Sequence, residues 1–488
     1  MKKYVITVFI SLFTTPLCFA VTPPNIIIIF TDDLGYGDVN SFTATEGYQT
    51  PELDGMAAEG LKFTDFHASH CVCSPSRAGL LTGRYPRRAG VPGVYFPRSK
   101  DGLNPAEITI AEVLKEQGFA TAMIGKWHLG HLPQFLPTEQ GFDSFFGIPY
   151  SNDMAQDGGM PLARDVKFLE GMTLENFREY QPQKTAAQGG KNNAEGQKLY
   201  AKYKNKVPLM RDTEVIEWPV DQSQISRRYT EKAVEFIQNH QAQPFFLYYA
   251  HTMPHTPLFA SEIFNGKTER GIYGDVIEEI DWSVGEILRT LKELEIDKHT
   301  LVVFTSDNGP WLVKGDHGGS AGPLRDGKGT TYEGGQRVPC IFWWPGTITA
   351  GSETDFNASN LDLMPTIANL TGARLPDDRM IDGTDISCVL QGEPDQASPA
   401  EFFVYARGQA IRVGNWKYRK GKAHGTWFKP GLGQKNKSQD GKDLNPVVEQ
   451  LFSLEEDLAE QNNLIEKYPE KAEELRQLLE SFNSRMKK

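Results

Sequence analysis

The pentapeptide Cys73-Ser74-Pro75-Ser76-Arg77 sets a sulfur nucleophile four residues before a guanidinium, with a proline turn between them. Ala78-Gly79-Leu80 and then Leu81-Thr82-Gly83 follow, which predicts a helix whose N-terminus can support an anion beside Cys73. Two further pairs, Asp32-Asp33 and Asp307-Asn308, bring three carboxylates and an amide. These are hard oxygen donors, suited to Ca2+ or Mg2+ and not to Zn2+, for which His or Cys would be expected. An Asp pair after a strand is usually a cap or turn; two such pairs in a chain that also carries the Cys73 motif favour a metal site. GKWHLG adds Lys126 and His128, HTMPHTP adds His255, and PLRDGKGTTYEGG adds Lys328. Taken singly, a Lys or His in a loop is more often a solvated side chain. The residues alone also leave Cys73 open as a plain thiol nucleophile.

Each group follows a segment that reads as a buried strand. NIIIIFTDDLG opens with an uninterrupted apolar run that ends in two acids and a glycine, as a central parallel strand buried on both faces would. PFFLYYA, Pro244 to Ala250, follows the helix-like TEKAVEFIQNH, and LVVFTSDNG from Leu301 follows the amphipathic IEEIDWSVGEILRTLKEL. A helix opening with the capping-box pattern Thr109-Ile110-Ala111-Glu112 leads into FATAMIGKWHLG. Helices alternating with buried strands predict an α/β fold, a large and mostly parallel sheet with helices on both faces. In such sheets ligands bind beyond the carboxyl ends of the strands. Asp32 and Asp33, Lys126 and His128, His251 and His255, and Asp307 and Asn308 all fall there, so four strand ends should converge on one site.

The chain has 488 residues, 39% hydrophobic and 23% charged, a globular composition long enough for one large domain and a smaller appendage. A net charge of −12 disfavours nucleic acid and anionic membrane surfaces, so an anionic substrate would need a local basic pocket. The N-terminus reads as an export signal: Lys2 and Lys3, an apolar run from Tyr4 to Phe13, Pro16, and cleavage after Ala20. That run is shorter than the ~20 residues a bilayer span needs, which argues against stable membrane insertion. Leu17-Cys18 only weakly resembles a lipoprotein processing site. Four cysteines remain in the mature chain, too few for a disulfide scaffold. Cys340 and Cys388 read as buried apolar residues, and Cys71, two before Cys73, is a possible competing thiol or disulfide partner.

The Cys73 motif resembles, at all its fixed positions, the sulfatase signature C-x-P-S-R-x-x-x-L-T-G. GKWHLG resembles a second motif of that family, and the order and flanks of the remaining segments are similar to it from Asn25 to beyond Gly346. GIPYSND and FFLYYAHTMPHTP look most like arylsulfatase-A-type and galactosamine-6-sulfatase-type members. The resemblance implies an alkaline-phosphatase-like sandwich with a small C-terminal α+β domain carrying a short antiparallel sheet. It also implies oxidation of Cys73 to Cα-formylglycine by a maturation enzyme, whose aldehyde hydrate attacks sulfur with one hydroxyl and expels sulfate by collapse of the other. Asp32, Asp33, Asp307, Asn308 and the modified Cys73 would hold one Ca2+, with Mg2+ as the lesser candidate. Arg77 and Lys126 would bind and polarise the formylglycine, and His128 would act as base. His255 and Lys328 would hold the sulfate and the leaving oxygen, either of them able to protonate it.

The implied activity is hydrolysis of sulfate esters, on a sulfated carbohydrate or polysaccharide ahead of a small aryl sulfate. Asn152, Asp153, Arg211, His251, His317 and Arg325 fall in loops that could read the sugar. A phosphate or phosphonate ester hydrolase of the same superfamily is the alternative, and one clear metal constellation favours sulfate. A non-catalytic binding protein would have lost Cys73, Lys126 or His128, and all are present. The expected organisation is a signal peptide at 1–20, a catalytic domain at 21–392 and a C-terminal subdomain at 393–488. A polar stretch between about Pro161 and Val220 reads as an insertion or loop near the substrate, and a Gly/Lys-rich loop precedes the C-terminal helix PEKAEELRQLLESF. Oligomeric state has no signal in the sequence.

Overall fold

A computed structural model describes residues 23–182, 194–421 and 448–486. The expected export signal, most of the polar stretch KTAAQGGKNNAEGQ and the Gly/Lys-rich loop fall outside the described residues. Among the described residues, no helix is long and apolar enough to cross a membrane.

The larger sheet has eleven strands. Its centre runs Thr300–Ser306, Asn25–Thr31, Phe245–Ala250, Ala120–Lys126, Ser144–Ile148, five parallel neighbours. Cys340–Trp343 joins antiparallel on one flank and Leu209–Arg211 antiparallel on the other. The isoleucine run explains the centre. Successive side chains of a strand point to opposite faces, so Ile26, Ile28 and Phe30 enter one hydrophobic cluster while Ile27 and Ile29 enter another. All five are 0% exposed, and burial contributes about 1.5–3 kcal/mol per side chain of this kind. Helices Ile225–His240 and Ile272–Glu293 cover the Ile27 face through residues such as Tyr229, Ile237, Ile280 and Ile287. Cys73–Thr82, Ile110–Lys115 and Leu363–Thr371 cover the other. The Thr109–Glu112 capping box forms as expected, with both reciprocal hydrogen bonds present.

A capping device not visible locally fixes the helix Pro51–Glu59. Its own N-cap, Thr50, makes no side-chain capping bond. Instead the carboxylate of Asp281, 229 positions away from Glu52, accepts from the backbone N–H groups of Glu52 at 3.1 Å and Leu53 at 2.8 Å. Replacing Asp281 with Ala would strand two helix-terminal donors, so Asp281→Ala should destabilise the protein by about 1–3 kcal/mol. Asp281→Asn, which keeps an acceptor, should lose less. Guanidinium unfolding midpoints for the two variants check this, and equal midpoints for wild type and Asp281→Ala would contradict it.

A second sheet of four antiparallel strands, Phe403–Tyr405, Ala410–Val413, Trp416–Arg419 and Gln450–Ser453, packs under the helix Pro469–Arg485. That helix buries Ala472, Leu475, Leu479 and Phe482, one face at helical spacing. The sheet is tied to the larger unit by buried charge. Glu333 accepts from Lys417 at 2.8 Å and pairs with His67 at 3.0 Å, Lys417 also reaches Glu460 at 2.8 Å, and Arg412 grips Asp65 at 2.8 and 2.6 Å. Glu333 follows Lys328 by five residues, so this network anchors the segment that carries Lys328.

The region from Pro161 to Val220 is more ordered than the sequence reading expected. Leu162–Phe168, Leu209–Arg211 and Glu214–Trp218 extend the edge of the large sheet, and Ala194–Tyr203 is a helix. Edge strands exposed along much of their length, such as LARDVKF, have no apolar run to announce them.

Candidate active site

The four strand ends converge. Asp32 and Asp33 follow Asn25–Thr31, Asp307 and Asn308 follow Thr300–Ser306, His251 and His255 follow Phe245–Ala250, and Lys126 ends Ala120–Lys126, with His128 two residues on. A fifth neighbour, Ser144–Ile148, delivers Ser151, Asn152 and Asp153. Cys73 is the first residue of the helix Cys73–Thr82, all ten residues of which are buried. Arg77 lies one turn on, on the same face. Gly83 closes the helix in the left-handed conformation at φ 62°, so the last residue of the motif is a cap. Gly125 is required for a different reason: a Cβ there would stand 1.7 Å from the carbonyl oxygen of Ala250.

Around Cys73 the charges alternate. Its Sγ lies 3.3 Å from Asp32 Oδ1 and 3.4 Å from Lys328 Nζ. Lys328 also donates to Asp33 at 2.7 Å. Arg77 donates from Nε at 3.1 Å and Nη2 at 2.8 Å to Asp307 Oδ2, and from Nη1 at 2.9 Å to the carbonyl of Lys126. Lys126 Nζ bonds Asp32 Oδ2 and reaches Ser151 Oγ at 3.3 Å. Three carboxylates thus face three cations, almost wholly out of water.

Burial raises the carboxyl of Asp32, but Lys126, His255, Arg77 and Lys328 outweigh it and hold the group well below its usual range. Burial, then the charge of Asp32, lifts Asp307 to about 7. His128 and His255 are both kept neutral, first by burial and then by Lys126 and Lys328 respectively. His128 Nε2 faces the carbonyl of Tyr95 at 2.9 Å and so donates its proton there, leaving Nδ1, buried and without a partner, with a free lone pair. Burial, followed by the charges of Asp307 and Asp32, pushes the Cys73 thiol well above its ordinary value, the opposite of what a thiolate nucleophile needs.

The donor set fits a hard cation. One ligand atom each from Asp32, Asp33, Cys73 and Asp307 lie within 4.8 Å of one another. Asn308 donates its amide N–H to Asp33 at 2.8 Å, and its Oδ1 is buried without a partner. An orphaned amide oxygen beside three carboxylates suits Ca2+ or Mg2+.

The six sugar-reading candidates separate. Asp153 lines the pocket that opens over Cys73, with His128, His255 and Lys328, and its Oδ1 has no partner among the described residues. Asn152 is buried behind it: its amide donates to Gln222 at 3.0 Å and to the carbonyl of Pro257 at 2.9 Å, so its oxygen faces His255 Nδ1 at 3.1 Å. That arrangement holds the His255 ring with Nδ1 protonated. His251 is not brought to the pocket; it packs in the core on Tyr249, 3.4 Å from Ser283 Oγ. Arg325 bonds the carbonyl of Glu460 and stacks on Tyr332, and Arg211 and His317 are exposed away from the lining. Cys71 is a free, buried thiol pushed up to about 12, chiefly by burial, and Cys73 is also free. Cys340 is buried as read from its flanks, whereas Cys388 is only half-buried.

Sequence reasoning missed Ser151, whose Oγ lies within 3.3 Å of Lys126 Nζ and 3.4 Å of the His255 ring. Its position at the end of the FFGI strand was the available signal. It also missed the apolar wall of the pocket, Val94, Phe96, Met154 and Tyr200, which no motif marks.

Three cations buried around one reactive position would be wasteful in a core. At the strand ends of an α/β sheet they define a hydrolase that cleaves an anionic ester. The Sulfatase family model matches residues 24–373. The chain is 39% identical to arylsulfatase A of Bos taurus over 95% of its own length and 87% of the relative. It is 38% identical to N-acetylgalactosamine-6-sulfatase of Mus musculus, over 81% of this chain and 71% of that one. The solved structure of Ps i-CgsB in complex with k-i-k-neocarrahexaose superposes with a TM-score of 0.70 at 30% identity, covering 95% of this chain and 93% of that chain. The chain belongs to the sulfatase family and is a sulfuric ester hydrolase with the alkaline-phosphatase-like fold. Formylglycine and calcium are the general means of that family.

Proposed function

We propose that this enzyme removes sulfate from a sulfated saccharide, with Cys73 matured to Cα-formylglycine by a separate enzyme and one Ca2+ held by Asp32, Asp33, Asp307, Asn308 and residue 73. The observation that carries the reading is the position of Cys73 Sγ, at a helix N-terminus between Asp32 at 3.3 Å and Lys328 at 3.4 Å, at the floor of an open pocket. The saccharide part is supported by the sugar named in the galactosamine-6-sulfatase relative and by the neocarrahexaose bound to the Ps i-CgsB structure.

When present, formylglycine supplies a geminal diol, one hydroxyl to attack sulfur and a second to release sulfate, and calcium supplies positive charge against the sulfate oxygens. The chain's own residues do the rest. Arg77 aims Asp307 through two hydrogen bonds, and Lys126 aims Asp32 and holds it ionised. His128 takes a proton at Nδ1, its other nitrogen being committed to the carbonyl of Tyr95. Lys328, which nearby carboxylates hold as a cation despite its burial, sits against residue 73 and steadies the sulfate. Lys328, already a cation, can protonate the leaving oxygen directly, whereas His255, whose Nδ1–H is engaged by Asn152, does so only after taking up a proton at Nε2.

Release of sulfate against release of phosphate from matched esters and sulfated oligosaccharides tests the reading; phosphate as the preferred product would replace it with the phosphoester alternative. His255→Ala should slow sugar sulfates far more than activated aryl sulfates, whose leaving groups need little protonation. Equal losses in kcat on both substrate types would assign His255 to binding alone. The same reading takes residues 1–20 as an export signal and 393–488 as a separate C-terminal subdomain; a mature N-terminus other than Val21 would correct the first.

A further inference from the structure

We infer a second anion subsite beside the catalytic pocket, built to hold a sulfate or carboxylate group on the sugar next to the one being desulfated. The inference rests on the saccharide reading above. Between the segment that follows the helix Cys73–Thr82 and the smaller sheet lies a cleft of about 520 Å3 whose charged lining is Arg87, Arg407 and Lys420. The rest of the lining is neutral, and among the described residues it includes no carboxylate. In a chain of net charge −12, such a cluster runs against the global field. Arg87 spends its Nη1 on neutral acceptors, Asn483 Oδ1 at 2.9 Å and the carbonyl of Arg407 at 3.4 Å. Among the described residues no ion pair engages Arg87, Arg407 or Lys420, so their charge is available to a ligand.

A second, independent observation points into the same place. A smaller cavity shares Arg87, Arg407 and Gly408 with the cleft, and His70 lines it. His70 is 2% exposed, and neither of its ring nitrogens has a hydrogen-bond partner. Buried polar groups are rarely left unpaired. Burial, then the charge of Arg407, keeps the ring neutral, so it offers one donor and one acceptor, the pairing a sugar hydroxyl uses.

The cleft adjoins the chemistry. Pro92 lines the cleft and Val94 lines the catalytic pocket, so the two openings are separated at that rim by about 7 Å of chain at most. Cys71, Val72 and Ala406 pack together with Val94 beneath that rim. Asp153 lines the catalytic pocket, and its carboxylate disfavours a second anion there.

The test uses the matured full-length enzyme and the double variant Arg407→Ala/Lys420→Ala. On a polysulfated oligosaccharide the variant should lose about ten-fold or more in kcat/KM, through KM, and much of its salt dependence. On 4-nitrophenyl sulfate it should match wild type, which also reports an intact fold. Direct binding of sulfated dextran, carboxymethyl dextran and neutral dextran separates the two anion types: loss of the sulfated probe marks a sulfate subsite, and loss of the carboxymethyl probe a carboxylate subsite. Unchanged kinetics on the oligosaccharide, or equal losses on both substrates, would overturn the subsite while leaving the saccharide reading intact. If wild type desulfates no saccharide yet the variant loses sulfated dextran, the saccharide reading falls and the anion site stands. A wild type that binds neither anionic dextran overturns the subsite.

Discussion

Asp307→Ala should abolish sulfate release and lower the unfolding free energy by about 3–5 kcal/mol, the cost of leaving a buried ion without its partner. The partner is Arg77, 0% exposed, two of whose nitrogens reach a single Asp307 oxygen. Loss of activity alone would not separate a metal ligand from a structural anchor, and Asp307→Asn does. An amide at this position still accepts from Arg77 and keeps the shape, so folding should be largely retained. The missing charge should nonetheless weaken cation binding, because Asp32 and Asp33 alone compensate it poorly. Wild type should therefore gain thermal stability on adding CaCl2, by about 2.7 kcal/mol at a hundredfold excess over Kd, and Asp307→Asn should gain little. Full wild-type activity in excess chelator after prolonged dialysis would contradict the calcium assignment, as would an equal calcium response in Asp307→Asn.

Cys73→Ala should reduce turnover on the order of 10^4-fold or more, the scale seen when a covalent nucleophile is removed. Its fold should persist. The side chain lies at the pocket floor, and the helix it begins is held by Leu80, Leu81 and the Gly83 cap. Cys73→Ser should be equally inactive in a host whose maturation enzyme accepts only cysteine. Enzyme made without maturation should fold and fail in the same way, because a thiol whose ionisation is opposed by burial and by Asp307 and Asp32 is a poor nucleophile. Substantial activity in Cys73→Ala would remove residue 73 from the chemistry.

The parts of this fold that could be read in advance are those where one strong local rule acts alone. The isoleucine run at Ile26–Ile29 could only be a strand buried on both faces, and the acids after it had to lie at a strand end. The Thr109 capping box and the amphipathic helices declared themselves in the same way. What stayed hidden depends on contacts between distant residues. Asp281 capping a helix 229 positions away leaves no local trace. The edge strands from Leu162 to Trp218 alternate too weakly, and Gln450–Ser453, with four residues, is too short to show a period. Of the site, the charged groups were legible because ionisable residues at strand ends need a reason. Ser151 and the apolar wall were not, since serine and valine are unremarkable anywhere. His251 misled because four residues from His255 implies nearness, whereas the turn between them sends its ring into the core beside Tyr249.

Peptide mass spectrometry across residues 71–77, run beside kcat on the same preparations, tests the central claim most directly. If residue 73 acts as formylglycine, the tryptic peptide of active enzyme carries an aldehyde or its hydrate in place of the thiol, and kcat rises in proportion to the converted fraction, reaching zero at none. Fully active enzyme whose peptide holds only unmodified Cys73 would contradict the account.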